Sequence, residues 1–121
     1  MQRMAEHNLT GSTGEAMAAE WLELNGFSIL HRNWKYRRFE IDVIASKSEV
    51  LHFVEVKTRT SHQFGFPEEA VSKKKIGNMM KCAERYQQLA PGWTRIQYDI
   101  LSISLHSQAA PDFLLIEDIY C

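Results

Sequence analysis

Two residues of opposite charge, Glu55 and Lys57, interrupt the apolar run LHFVEVKTR from Leu51 to Arg59. Alternate residues of a strand face the same way, so Leu51, Phe53, Glu55 and Lys57 share one face, and His52, Val54 and Val56 the other. A carboxylate and an ammonium projecting together form either an ion pair at the exposed end of a strand or part of a site that handles charge. A second carboxylate bears on the choice. FEIDVIA, Phe39 to Ala45, reads as the preceding strand, with Ile41, Val43 and Ala45 alternating with Glu40, Asp42 and Ile44. A hairpin through Ser46 to Glu49 that pairs Ala45 with Val50 sets Asp42 opposite Phe53 and Glu40 opposite Glu55, on a common face. Asp42 and Glu55 are then diagonal neighbours, roughly 7–8 Å apart at the backbone. A two-residue shift would place them directly opposite; a one-residue slip would put them on different faces.

Two carboxylates at that distance repel one another and lose solvation, so the pair calls for compensation. Oxygen ligands suit Mg²⁺ or Mn²⁺, and a site with few protein ligands leaves positions for water and a phosphate oxygen. Lys57 is too cationic to be a ligand, but it can orient or help deprotonate an attacking water, or stabilise charge that develops on a phosphoryl group. Glu15 is a further candidate with two readings of equal weight. Ser12-Thr13-Gly14-Glu15 matches a capping box, yet Glu15 also sits at the edge of the apolar arc of its helix and could reach a metal or its waters. Lys73, Lys74 and Lys75 crowd the first turn of a later helix, where the helix dipole disfavours cations; they are either a solubilising turn or a place for a nucleic-acid phosphate.

The elements that must position these residues follow from periodicity. GSTGEAMAAEWLELNGF places Met17, Ala18, Trp21, Leu22 and Leu24 on one arc and stops at Asn25-Gly26, which predicts a first helix. Phe27 to Trp34 reads as a strand, followed by the two strands above. In VSKKKIGNMMKCAERYQQLA, Ile76, Met79, Met80, Ala83 and Tyr86 share a face, with Ser72 as candidate N-cap, which predicts a second helix ended by Pro91-Gly92. TRIQYDILSIS alternates as a strand, and FLLIEDIY gives a last short one.

At 121 residues the chain holds one domain with a single core, residues 1–121, its central part about 10–105 and its last strand about 113–119. No apolar run reaches membrane-spanning length and no signal-type h-region opens the chain, so a cytoplasmic protein without membrane contact is expected. Cys82 and Cys121, without zinc spacing, read as free thiols. The formal charge of −1 argues against a protein that coats nucleic acid by bulk charge. The basic residues nevertheless concentrate mid-chain, in RNWKYRR, KTR and KKK, which is compatible with local phosphate contacts or with solvated faces.

These stretches, together with FGFPEEAVSKKK and QYDILSI, resemble the YraN-like family of small bacterial proteins described as endonucleases on fold and motif. The resemblance runs from about Asn8 to Ser104. It implies the PD-(D/E)XK superfamily, an α/β fold with a restriction-endonuclease-like αβββαβ core, its mixed central sheet flanked by helices, in a group that includes archaeal Holliday junction resolvases. It makes Glu15 the helix-one acidic residue, Asp42 the metal-binding aspartate, Glu55 and Lys57 the E-x-K pair, and Val56 a backbone-carbonyl ligand. Glu40 matches the acidic residue of a G-E-I-D stretch in which Phe39 stands where glycine is common.

The expectation is a Mg²⁺- or Mn²⁺-dependent endonuclease that hydrolyses DNA phosphodiester bonds, structure-selective in repair or recombination. Arg37, Arg38, Arg59, Lys73, Lys74 and Lys75 would contact phosphates. A homodimer engaging two strands belongs to the same expectation, since many structure-selective nucleases work as dimers. The near-neutral charge keeps two others open: a non-catalytic nucleic-acid-binding module of the same fold, and an adaptor for a protein partner.

Overall fold

The structure, a computed structural model, describes residues 14–60 and 73–119. Its elements are helix α1 (Gly14–Leu24), strands β1 (Ser28–Tyr36), β2 (Phe39–Lys47) and β3 (Val50–Thr60), helix α2 (Lys73–Leu89), and strands β4 (Ile96–Leu105) and β5 (Asp112–Ile116). The strands form one five-stranded sheet in chain order. All neighbours are antiparallel except β3 and β4, which run parallel and so need a crossover; α2 lies in it. This is the expected αβββαβ order with one more strand at the edge, and a helix packs on each face of the mixed sheet. No helix among the described residues is long and apolar enough to cross a membrane.

α1 ends at Asn25-Gly26 for a local reason. Gly26 takes φ 93°, and the turn closes with Phe27 N–H to Leu22 O at 2.9 Å and Gly26 N–H to Glu23 O at 3.1 Å. This is a Schellman stop, and its usual apolar contact is present in Phe27 and Leu22, which share a core cluster. The cluster joins Ala18 and Leu22 of α1 to Val43, Ala45, Val54, Leu101 and Ile103 on one sheet face. On the other face Met79, Cys82, Ala83 and Tyr86 of α2 cover Ile41, Ile44, Leu51 and Phe53. Phe53 is fully buried. Burial of a side chain of that size stabilises the fold by about 2–3 kcal/mol. Cys82 is a free, buried thiol. Ser12, Ser72 and Cys121 lie outside the described residues.

The β2–β3 hairpin differs from the expected register. Lys47 pairs with Val50 and Ala45 with His52, so the chain turns through two residues, Ser48 and Glu49, instead of four. Both take positive φ, 51° and 66°, as a type I′ turn requires. The pairing is thereby shifted by two residues, which overturns the diagonal placement of Asp42 and Glu55 and the opposition of Glu40 and Glu55.

Strict alternation in β2 also fails. Ile41 and Ile44 pack together under α2, whereas Val43 and Ala45 pack under α1. A period of two cannot do this, so the ribbon turns over at Asp42. Across from it in β1, Asn33 has φ 52°, and His31 and Trp34, on either side, both meet the ring of Tyr86. At the other edge β5 stops at Ile116, short of the expected 119. There Asp118, at φ 58°, turns inward and its N–H donates to Asp99 Oδ1 at 2.9 Å.

Candidate functional site

The β2–β3 ladder runs from Lys47↔Val50 to Val43↔Val54; one step further the same register meets Asp42 and Glu55. At that step a side chain takes over from the backbone. The Val56 N–H donates to Asp42 Oδ2 at 2.9 Å, which fixes the carboxylate against β3. Glu55 is held from the other side, because β3 stays paired with β4 past it, Glu55 facing Ile100 and Thr60 facing Leu105. Only 3% of Glu55 is exposed. Its Oε2 lies 2.9 Å from Lys75 Nζ, reached from the first turn of α2. That hydrogen bond, outweighing partial burial, raises the Lys75 ammonium above its ordinary pKa.

Asp42 is the unbalanced group. Burial first, and then the charges of Glu55, Glu15 and Glu40, push its carboxyl up to about 7, against the opposing hydrogen bond from Val56. Glu15 acts from the first turn of α1, which sits close to β3: a Cβ on Gly14 would run into Thr58 Oγ1. A cavity of about 230 Å³ opens on the pair, lined by Arg38, Phe39, Glu40, Asp42, Glu55, Lys75, Asn78 and Met79. A concave, acidic, partly desolvated site of this kind favours a cation, because burial and the neighbouring carboxylates raise the cost of ionising Asp42. Among the described residues no group of three or more His, Cys, Asp or Glu side chains assembles as a metal cluster. Asp42 and Glu55 are the carboxylates that would offer oxygen donors to a hard divalent cation here.

The residues singled out from the sequence separate into three places. Asp42, Glu55, Glu40, Lys75 and Arg38 line the cavity, and Val56 and Glu15 act on Asp42 from beside it. Lys57, half-buried two residues along β3, is not part of the lining. Arg37 and Arg38 form the β1–β2 turn, Lys74 is exposed on the first turn of α2, and Arg59 is near the end of β3. The Lys73 side chain lies outside the described residues. Sequence reasoning took Lys75 as part of a solubilising turn or as a phosphate ligand and passed over its role as partner of Glu55. Asn78 and Lys81 were also passed over, although Lys75, Asn78, Lys81 and Arg85 recur at spacings of three and four. That polar stripe of α2 borders its apolar face.

A second buried polar cluster stands at the far end of the sheet, near the β2–β3 turn. Asp99, fully buried, accepts from His52 Nδ1 at 2.7 Å, Gln97 Nε2 at 3.1 Å and the Asp118 N–H at 2.9 Å. Its hydrogen bonds tie β3, β4 and the C-terminal segment together.

The profile of the uncharacterised protein family UPF0102 matches residues 14–103. The UPF0102 protein of Bacteroides thetaiotaomicron is 42% identical over 100 residues, 83% of this chain and 83% of the relative. That of Flavobacterium johnsoniae is 48% identical over 83 residues, 69% and 68% of the two chains. That of Syntrophomonas wolfei is 45% identical over 94 residues, 77% and 82%. Among solved structures, Hjc of Archaeoglobus fulgidus, a Holliday junction resolvase from an archaeal hyperthermophile, superposes with a TM-score of 0.49 and 14% identity. The superposition covers 86% of this chain and 75% of the other.

Proposed function

The chain belongs to the UPF0102 (YraN) family, and from that premise we propose that it is a divalent-metal-dependent endonuclease that hydrolyses DNA phosphodiester bonds at the Asp42–Glu55 cavity. The observation that carries this reading is the charge imbalance: Lys75 compensates Glu55 at 2.9 Å, while Asp42 is left with a carboxyl pushed up to about 7 by burial and by three neighbouring carboxylates. One more cation in the cavity would relieve it.

Asp42, Glu55 and the Val56 carbonyl would hold Mg²⁺ or Mn²⁺, and Glu15 would act through water. Such an ion, when bound, polarises a phosphoryl oxygen and acidifies a water. The remaining work falls to side chains. The Val56 N–H keeps Asp42 oriented. Lys75 holds the Glu55 carboxylate from the α2 side at 2.9 Å. Lys57, as an ammonium on the same strand, would orient the attacking water or stabilise charge at the phosphorus. Arg37, Arg38, Arg59, Lys73 and Lys74 would contact flanking phosphates. A homodimer would bring a second cavity to the opposite strand.

A second reading, a nucleic-acid-binding module without catalysis, is favoured by the same Lys75–Glu55 pair, since an internal ammonium competes with a metal for Glu55. The two separate in a panel of linear, nicked, single-stranded and four-way-junction DNA incubated with Mg²⁺ or Mn²⁺, run with wild type, Glu55→Ala and Lys57→Ala. The nuclease reading expects cleavage that both substitutions abolish. Salt-sensitive binding with no cleavage would support the module. Cleavage that survives both substitutions would refute the assigned site.

A further inference from the structure

Next to the acidic cavity, and sharing Arg38 and Phe39 with it, lies a larger one of about 620 Å³ lined by Tyr36, Arg37, Arg38, Phe39, Lys81 and Glu84. Its walls pair two aromatic rings with three cations, and Arg85 adds a fourth beside them. Arg37 lies 5.3 Å and Arg85 5.9 Å from the Tyr36 ring centroid; Arg38 lies 5.5 Å and Lys81 5.6 Å from that of Phe39. The arrangement is built by two elements. Tyr36 and Phe39 face each other across the two-residue β1–β2 turn, in which Arg37 is held at φ 57°. Lys81 and Arg85 stand on consecutive turns of α2, so one helix face presents a cation to each ring.

Each cation–ring contact is worth only about 0.5–1 kcal/mol at an exposed site. Four cations crowded on two rings repel one another, and Glu84 is the one carboxylate in the cavity wall. An anion that also offers a flat π-surface satisfies both features: a nucleotide, its phosphate among the cations and its base against a ring. A base inside a duplex has both faces covered by its neighbours and shows only its edges in the grooves. A ring can therefore stack only on a base whose face is free.

We infer that the Tyr36–Phe39 turn and the Lys81–Arg85 face of α2 form a subsite for an unpaired nucleotide next to the scissile phosphate, so that the enzyme selects a flap, gap or strand end over intact duplex. This inference rests on the nuclease reading for its placement, because Phe39 and Arg38 wall both cavities. It depends on no catalysis of its own.

The test is binding in EDTA, where no metal-dependent cleavage can contribute. Full-length protein is titrated against a DNA duplex with a short single-stranded flap and against the same length fully paired. 2-Aminopurine at the first unpaired position reports stacking. A base–aromatic stack of ordinary strength predicts roughly ten-fold tighter binding of the flapped DNA and quenched 2-aminopurine emission. Tyr36→Leu with Phe39→Leu should bring the affinity ratio to about one while duplex binding persists. Arg37→Ala with Arg38→Ala, confined to the exposed turn and therefore harmless to the fold, should weaken both DNAs and flatten the salt dependence. Equal affinity of the wild type for both DNAs, or a ratio that survives loss of both rings, would overturn the subsite. A chain that shows the ratio but cleaves nothing with metal keeps the subsite and loses the nuclease reading; one that cleaves yet shows no ratio does the reverse.

Discussion

Lys75 Nζ stands 2.9 Å from Glu55 Oε2, joining a half-exposed ammonium on α2 to a carboxylate that is 4% exposed on β3. Both residues line the cavity that holds Asp42. Lys75 is thus an internal counter-ion of the acidic pair, and a metal that binds Glu55 must share or displace it.

Removing that ammonium tests the competition. Lys75→Gln leaves Glu55 buried beside Asp42 without a full positive charge. The metal-free protein should lose about 1–3 kcal/mol, less than a fully buried pair would because Lys75 is half solvated. Mn²⁺ affinity should rise by roughly ten-fold, since a one-charge competitor is gone. Urea unfolding and a Mn²⁺ titration followed by electron paramagnetic resonance measure the two effects, which should move in opposite directions.

Asp42 predicts a pH dependence with a defined sign. Its folded carboxyl lies at about 7 against an ordinary 3.8, so the folded state holds this proton more tightly than the unfolded one. Stability from this group is therefore complete below about pH 4, falls as pH rises through that window, and levels off above 7. Asp42→Asn should abolish the slope and make the metal-free protein more stable than wild type at pH 8, on the order of 2–4 kcal/mol. At pH 4 the two should be similar. Added Mg²⁺ should raise the wild-type melting temperature at pH 8 and leave the variant unmoved.

Gly14 sets how closely α1 approaches β3. An alanine there would drive its Cβ into Thr58 Oγ1, so Gly14→Ala should destabilise the chain by about 1–3 kcal/mol. It should also push Glu15 away from Asp42. The double variant with Thr58→Ala removes the obstructing oxygen and should recover most of the loss in a chemical melt.

The Asp99 cluster predicts a stability effect separable from the site. Asp99→Ala strips three donors, from His52, Gln97 and Asp118, of their acceptor in a fully buried position. The cost should be about 2–4 kcal/mol. Mn²⁺ affinity of the folded variant should be unchanged, because no residue of the cluster lines the acidic cavity.

The alternation of β3, the Asn25-Gly26 stop and the apolar face of α2 were legible because each is written locally, in side-chain period or in a glycine. The β2–β3 register was not. Its two-residue turn is Ser48-Glu49, with neither Asn nor Gly to mark positive φ, so a longer loop was the natural reading. The turnover of the ribbon at Asp42 had one local signal, Asn33, of the residue types that tolerate the left-handed region most readily. The Lys75–Glu55 pair had none, since it joins two elements twenty positions apart in sequence. Asp42 and Glu55 were nonetheless legible as candidates, because opposite registers of even shift keep them on one face.

The most direct test of the Asp42–Glu55 centre is the single-turnover rate at which a flapped DNA is cut at saturating Mn²⁺ by wild type, Asp42→Asn and Glu55→Gln, purified in parallel. Each substitution keeps shape and removes one charge. The wild type should cut, and either variant should lose at least about 100-fold, with duplex binding in EDTA retained. Cutting at the wild-type rate by either variant would contradict the assignment of the Asp42–Glu55 centre.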